Sequence, residues 1–316
     1  MPESTAAPPR RRQSEMKANT GDRAQALDAL DAAGGVRGGA GKKGDRPHVR
    51  IRSGADGVAL DLGELWAQRE LLFFLVWRDV KVRYKQTLMG AAWVVIQPFF
   101  TMLIFTAVFH RLGGFRSDGL PYPLFAYAGL LLWVFFSQAV VNGTHSLLVN
   151  SALVTKVYFP RMYVPAAAVG AGLVDLAVAS VLLGGMLVYY GVGTTWRLLL
   201  APAYVLLTVV LALGLGLLTS ALTVKYRDLR HALPFLIQLL LFASPVIYPL
   251  DVVPERWRWA AALNPLTGIL EGFRASLSGR PVDLPTTAVS VGLAFALLAL
   301  SAYVFRRAEE TFADLI

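Results

Sequence analysis

Cysteine is absent from all 316 residues, so the chain can build neither a disulfide framework nor a thiolate metal site. Histidine is scarce as well, and the 4 present show no metal-ligand spacing, which argues against zinc chemistry. Charge is the third shortage: 16% of residues are Asp, Glu, Lys or Arg, against 55% hydrophobic residues and a mean hydropathy of +0.52. A soluble domain cannot clothe its surface with so few charges, so most of this chain must have lipid as its solvent.

The charge that is present is mainly basic, giving a net +9 and a pI near 9.9. In a soluble chain this would point to nucleic acid. Here 11 of the 30 Lys and Arg precede Ser53 and most of the others flank apolar segments, a distribution that fits membrane orientation and not a nucleic-acid partner.

Residues 1–56 are rich in Ala, Gly, Arg and Lys without apolar periodicity, and the expectation is a disordered, basic, cytoplasmic tail. Arg10, Arg11 and Arg12 are followed by no apolar stretch, so neither a twin-arginine nor a cleavable signal is supported. GGVRGGAGKK, residues 34–43, brushes against a phosphate-loop pattern. It puts Val36 where the first Gly belongs and Lys43 where a magnesium-binding Ser or Thr is needed. ATP binding by this chain is excluded, and no cofactor is expected in it.

Residues 57–85 read as an amphipathic interface helix. Asp61 and Glu64 make a capping box, and Leu62, Leu65, Trp66, Phe73, Val76, Trp77 and Val80 recur near helical spacing. Its longest apolar run is too short to span, so the helix is expected to lie at the cytoplasmic face of the membrane. Two readings stay open. It is a plain membrane anchor, or it is a contact surface for a soluble partner or a lipid headgroup, with Arg69, Arg78, Lys81, Arg83 and Lys85 as its cations.

Residues 86–316 then hold six apolar spans, near 91–110, 122–142, 164–190, 198–223, 232–249 and 284–305. The fold class is therefore an all-α integral membrane protein of six transmembrane helices. With the amino terminus inside, Lys156, Arg161, Lys225, Arg227, Arg230, Arg306 and Arg307 fall on the cytoplasmic side and join the interface-helix cations. Arg111, Arg116, Arg197, Arg256, Arg258, Arg274 and Arg280 fall outside. The excess inside puts both termini in the cytoplasm. Residues 249–284 are the longest external stretch, with two short helical pieces near 254–263 and 265–277 that cannot span and are expected to be interfacial or re-entrant. The cytoplasmic connection 142–164 is unusually apolar for a loop, with Leu147, Leu148, Leu153 and Val157. That pattern suits a short amphipathic helix that faces a soluble partner or packs on its own membrane domain.

Several short motifs now fall in order: YKQTLMGAAWVVIQP at 84–98, KVYFPR at 156–161, KYRDL at 225–229, SPVIYP at 244–249, LNPLTGILEGFR at 263–274 and FRRAEETFADLI at the end. In this order the chain, from about residue 62 to its last, resembles the membrane subunits of ABC-2 type exporters for polysaccharides such as O-antigen, capsule and teichoic acid. The resemblance implies a homodimeric pore in the cytoplasmic membrane of a bacterium. Two separate ABC nucleotide-binding subunits would bind ATP and Mg, and the glycan would ride on a polyprenyl pyrophosphate lipid. It implies that Asn150, Leu153, Lys156, Val157, Tyr158 and Phe159 belong to the helix that couples to the ATPase. Residues 62–84 would form an interface or gate helix. The two short pieces would be external gate helices carrying Trp257, Trp259, Asn264, Phe273 and Arg274. The long basic tail is outside the family pattern.

A glycan passage needs surfaces that let sugars slide, and aromatic faces supply apolar contact with little directional demand. Phe99, Phe100, Phe105, Phe109, Trp133, Phe135, Phe136, Phe235 and Phe242 are the candidates, each of which could equally face lipid or pack between helices. Arg69, Arg78, Lys81, Arg83 and Lys85 could recruit a pyrophosphate, although the positive-inside rule alone would also put them there. Asp175 stands out as a carboxylate midway along the third span, with no intramembrane cation evident to pair it. It either meets sugar hydroxyls or has a structural role on the close-packing face of Gly170, Ala171, Gly172 and Ala179. Competing functions are an exporter of drugs or small lipids, a membrane-embedded glycosyltransferase or phosphatase acting on polyprenyl phosphate, and an ATP-independent channel or scaffold. The enzyme reading lacks the clustered carboxylates or His and Arg constellation it would need.

Overall fold

The computed structural model describes residues 62–85, 92–112, 114, 119–157, 159–193, 195–309 and 312. The basic tail, the phosphate-loop-like segment, the Asp61 cap and Tyr158 lie outside the described residues. Within them every regular element is helical.

A short helix α1 (Leu62–Ala67) leads into α2 (Arg69–Lys85), the expected interface helix. Then come α3 (Ala92–Phe105), continued by a π-helical stretch Thr106–Leu112, and α4 (Tyr122–Val149). The short α5 (Ser151–Lys156) precedes α6 (Tyr163–Tyr189), and a 3-10 turn Trp196–Leu200 leads into α7 (Ala201–Lys225). The chain closes with α8 (Leu229–Ala243), α9 (Glu255–Ala262), α10 (Pro265–Ser278) and α11 (Leu284–Glu309). Among the described residues, five helical stretches are long and apolar enough to cross a membrane: Ala92–Arg111, Tyr122–Val149, Tyr163–Tyr189, Trp196–Lys225 and Leu284–Glu309.

The fifth expected span, 232–249, is interrupted. Helix α8 has 15 residues, which is roughly 22 Å of rise against a hydrocarbon layer of about 30 Å. It stops because Pro245 drives Ser244 to an extended conformation, φ −109° and ψ 146°. The rest of SPVIYP runs without helix to a 3-10 turn at Leu250–Val252. A second departure is the length of α4, which runs through the expected loop start at Asn142 as far as Val149. Gly143 permits this: it lies where α4 meets α7, and a Cβ there would come within 3.3 Å of the Gly216 backbone. Beside this crossing, the Thr144 and Thr219 hydroxyls bond at 2.6 Å.

Helix α4 is the hub, flanked by α6 and α7, while α11 packs along α7 and α2 along α6. The most apolar window of α4 is 78% buried and that of Ala92–Arg111 only 11%, so the first long helix stands at the edge of the bundle. Two apolar cores result. The larger centres on α4, and the smaller gathers Leu75, Leu147, Val154, Phe159, Val224 and Phe305 around α5.

Candidate functional site

Helix α2 has two apolar sides. Leu75 and Val80 are buried, and Val76 presses on Gly170 of α6, where a Cβ would come within 2.9 Å of it. Trp66 of α1 and Phe73, Phe74, Trp77 and Val82 of α2 are exposed. The five cations divide along this geometry. Arg69 lies 5.1 Å from the Trp66 ring and Lys81 5.4 Å from the Trp77 ring, on the aromatic side, and Lys85 is exposed. Arg78 is turned inward, pairing with Asp79 at 2.8 Å and donating to Asn150 Oδ1 at 2.9 Å.

Arg83 corrects the expectation that Asp175 has no cation. Asp175 is 8% exposed, and the end of α2 brings Arg83 and Tyr84 to it: Arg83 Nη1 donates to Oδ2, and the Tyr84 hydroxyl donates to Oδ1. Burial, then the hydrogen bond to Asp175, push the Tyr84 phenol up to about 12 from 10.0. The three residues form one wall of a groove of about 530 Å³ that also meets Trp93, Gln97, Ser137, Gln138 and Asn142. Amides, hydroxyls, a carboxylate and a guanidinium thus converge among membrane-length helices, where polar side chains are costly unless they serve a path or a partner.

At the far end of α4 the coupling candidates split between core and surface. Val154 and Phe159 are buried, Leu153 is partly buried, and Lys156 and Val157 are exposed. The helix is shorter than residues 150–159, with only Ser151–Lys156 helical, and Asn150 is the joint between α4 and α5. Its side chain accepts from Arg78 and donates to Ser146 O at 2.9 Å.

The external candidates behave unlike one another. Trp257 and Trp259 are exposed on α9, which has no buried residue, whereas Phe273 and Arg274 are buried on α10, a core helix packed against α7 and α11. Asn264 caps α10 by accepting from Leu266 N at 3.1 Å, and its Nδ2 donates to Ser244 Oγ at 2.8 Å.

Arg274, counted from sequence among the outside charges on a short interfacial or re-entrant helix, is 3% exposed. It donates to Pro245 O at 2.7 Å, Val246 O at 2.5 Å, Phe125 O at 3.3 Å and Glu271 Oε1 at 3.2 Å, with its guanidinium 3.6 Å from the Phe125 ring centroid. Non-helical backbone among apolar helices must have its polar groups satisfied by protein, and the fork of Arg274 does this for SPVIYP. The Tyr122 hydroxyl adds a bond to Ile247 O at 2.8 Å. Charge counting missed this clamp; the signal available was Pro245 inside an apolar run, which leaves carbonyls in need of donors.

Of the aromatic candidates, Trp133, Phe135 and Phe136 are buried in the larger core. Phe99, Phe105 and Phe109 are partly buried beside it. Phe100, Phe235 and Phe242 are exposed, on α3 and α8.

A multi-pass helical bundle with a polar groove among its long helices fits a membrane transporter. Residues 70–278 match the family described as ABC-2 type transporter, and the chain belongs to that family. It is 30% identical over 256 residues to the O-antigen export system permease protein RfbA of Myxococcus xanthus, covering 80% of this chain and 98% of that protein. RfbA of Klebsiella pneumoniae is 25% identical over 78% of this chain and 95% of its own length. The polysialic acid transport protein KpsM of Escherichia coli is 24% identical over 63% of this chain and 78% of its own.

Proposed function

We propose that this chain is the membrane subunit of an ATP-driven exporter that moves a lipid-linked polysaccharide across the bacterial cytoplasmic membrane. The observation that carries the reading is the groove at Asp175. Gln97, Gln138, Asn142 and Ser137 can exchange hydrogen bonds with sugar hydroxyls in any register, and the exposed face of Trp93 offers a sugar ring apolar contact. Its relatives' names, O-antigen export and polysialic acid transport, support the same substrate class.

In this reading two copies of the chain form the passage. The sparsely packed first long helix and the exposed Phe100, Phe235 and Phe242 face the second copy or the conduit. Helix α8 with the non-helical residues 244–249 makes a sixth crossing, and both termini are cytoplasmic. Helix α2 lies in the cytoplasmic interface with its aromatics in lipid, and Lys81, Lys85 and Arg83 receive the pyrophosphate. Two ABC subunits bind ATP and Mg, and their closure pushes on the surface that Lys156 and Val157 present. Helices α9 and α10 gate the external mouth.

The test is purification of the chain with its cognate ATP-binding subunit. The pair should hydrolyse ATP, and disruption of residues 156–159 should lower that activity; failure of the two to associate would sink the proposal.

A further inference from the structure

The coupling segment is held at its exit by residues from the other end of the chain. Phe312 is 1% exposed, and its ring meets Phe305 edge-on with centroids 5.3 Å apart. Both belong to the apolar cluster that contains Phe159, Met162 and Val154. Beside it, Glu309 Oε1 accepts from the Arg161 backbone N–H at 3.2 Å, and the Glu309 carbonyl accepts from Arg161 Nη1 at 2.6 Å.

These contacts hold the turn that leads into α6. The first-turn N–H groups of Tyr163 and Val164 are taken by the Pro160 and Arg161 carbonyls, at 3.0 and 3.1 Å. The Glu309 carboxylate binds the Arg161 N–H just ahead of α6, where negative charge is favoured by the helix dipole. Residues 159–161 are therefore gripped by the last long helix through an apolar and a polar contact at once. The grip at the entrance is the bond from Arg78 to Asn150. Helix α5 itself has 6 residues and Val154 as its one buried side chain, so the contacts at its two ends add to a small packed surface.

We propose that Glu309 and Phe312 are positioning residues that transmit motion of the coupling segment to α11, making the carboxy-terminal end a second drive arm beside α2. This rests on the exporter reading above.

The experiment uses the complex of full-length chain and cognate ATP-binding subunit, in cells for surface polysaccharide and in nanodiscs for association and ATP hydrolysis. Glu309→Ala and Phe312→Ala should keep the ATP-binding subunit bound, with ATP hydrolysis continuing, yet show a loss of polysaccharide exported per ATP. Glu309→Gln, which keeps the acceptor, should stay near wild type. Folded variants with an unchanged ratio would overturn the proposal. Because the chain has no cysteine, an Arg161→Cys, Glu309→Cys pair provides a check that does not depend on how well the alanine variants fold. The pair should be poorly coupled until a short bis-maleimide joins it and restores export; cross-linking that leaves export low would also overturn the proposal. Loss of the exporter reading itself would look different, since the wild-type chain would then neither bind the subunit nor export.

Discussion

Arg83, near the end of α2, and Asp175, midway along α6, meet as an ion pair across 92 positions of sequence. The pair ties α2 to α6 and sets the charge of the groove between them. Removal of one partner from a buried pair typically costs about 3–5 kcal/mol, whereas joint replacement by apolar groups is often neutral. The Arg83 side chain is 31% exposed and the Asp175 side chain 11%, so the two removals should differ. Arg83→Met, which strands a carboxylate among apolar helices, should destabilise by about 2–3 kcal/mol, and Asp175→Asn by about 1 kcal/mol. The double variant Arg83→Met, Asp175→Leu should recover most of the loss in a double-mutant cycle read by unfolding in mixed micelles. Additive losses would contradict the pairing.

Tyr84 gives the same corner an alkaline signature. Its phenol is raised to about 12 from 10.0, by burial first and then by the bond to Asp175. A raised folded value means that its contribution is complete below pH 10 and is lost as pH climbs towards 12, because only the detached tyrosine ionises in that window. Stability of the wild type should therefore fall between those values, and Tyr84→Phe should flatten that part of the curve. A profile unchanged by the substitution would separate Tyr84 from the effect.

The clamp at Arg274 should tolerate no substitute. Lysine keeps the charge but loses the planar fork, leaving carbonyls of Pro245, Val246 or Phe125 unpaired. Arg274→Lys should cost about 2–4 kcal/mol, at about 1–3 kcal/mol for each buried polar group left without a partner. Gly129→Ala should act through the same clamp, since a Cβ there would collide with the Arg274 guanidinium and the Val246 carbonyl. Arg274→Lys and Gly129→Ala together should then cost less than their sum.

The proposed coupling surface gives a different kind of prediction. Val157 is 51% exposed and makes no part of either core, so Val157→Asp should leave folding intact while weakening association with the ATP-binding subunit by about tenfold or more, because it would bury an unpaired charge in the contact. Equal retention of the subunit by wild type and variant in pull-downs would move the docking surface elsewhere.

What the sequence revealed and what it hid divide along a physical line. Apolar run length is local, so the long helices at 92–111, 163–189 and 284–309 fall close to where hydropathy puts them. Partners distant in sequence are not local. Asp175 looked unpaired because its cation sits on a helix that reads as surface, and the burial of Arg274 was hidden because charge counting sorts residues by side of the membrane without asking what a guanidinium could bond. The break at Ser244 had a local cause in Pro245, yet a hydropathy window runs straight across it. Asn142 and Gly143 suggested a loop for the opposite reason: there a glycine serves a close helix crossing inside a continuous helix.

The central claim, ATP-driven movement of a lipid-linked glycan through this chain, is tested most directly by the leaflet in which the glycan stops. With the partner subunit unable to hydrolyse ATP, the account predicts that one lipid-linked polysaccharide accumulates on the cytoplasmic side and disappears from the cell surface, and that active partner restores it. Surface polysaccharide unchanged by the hydrolysis-dead partner would contradict the account.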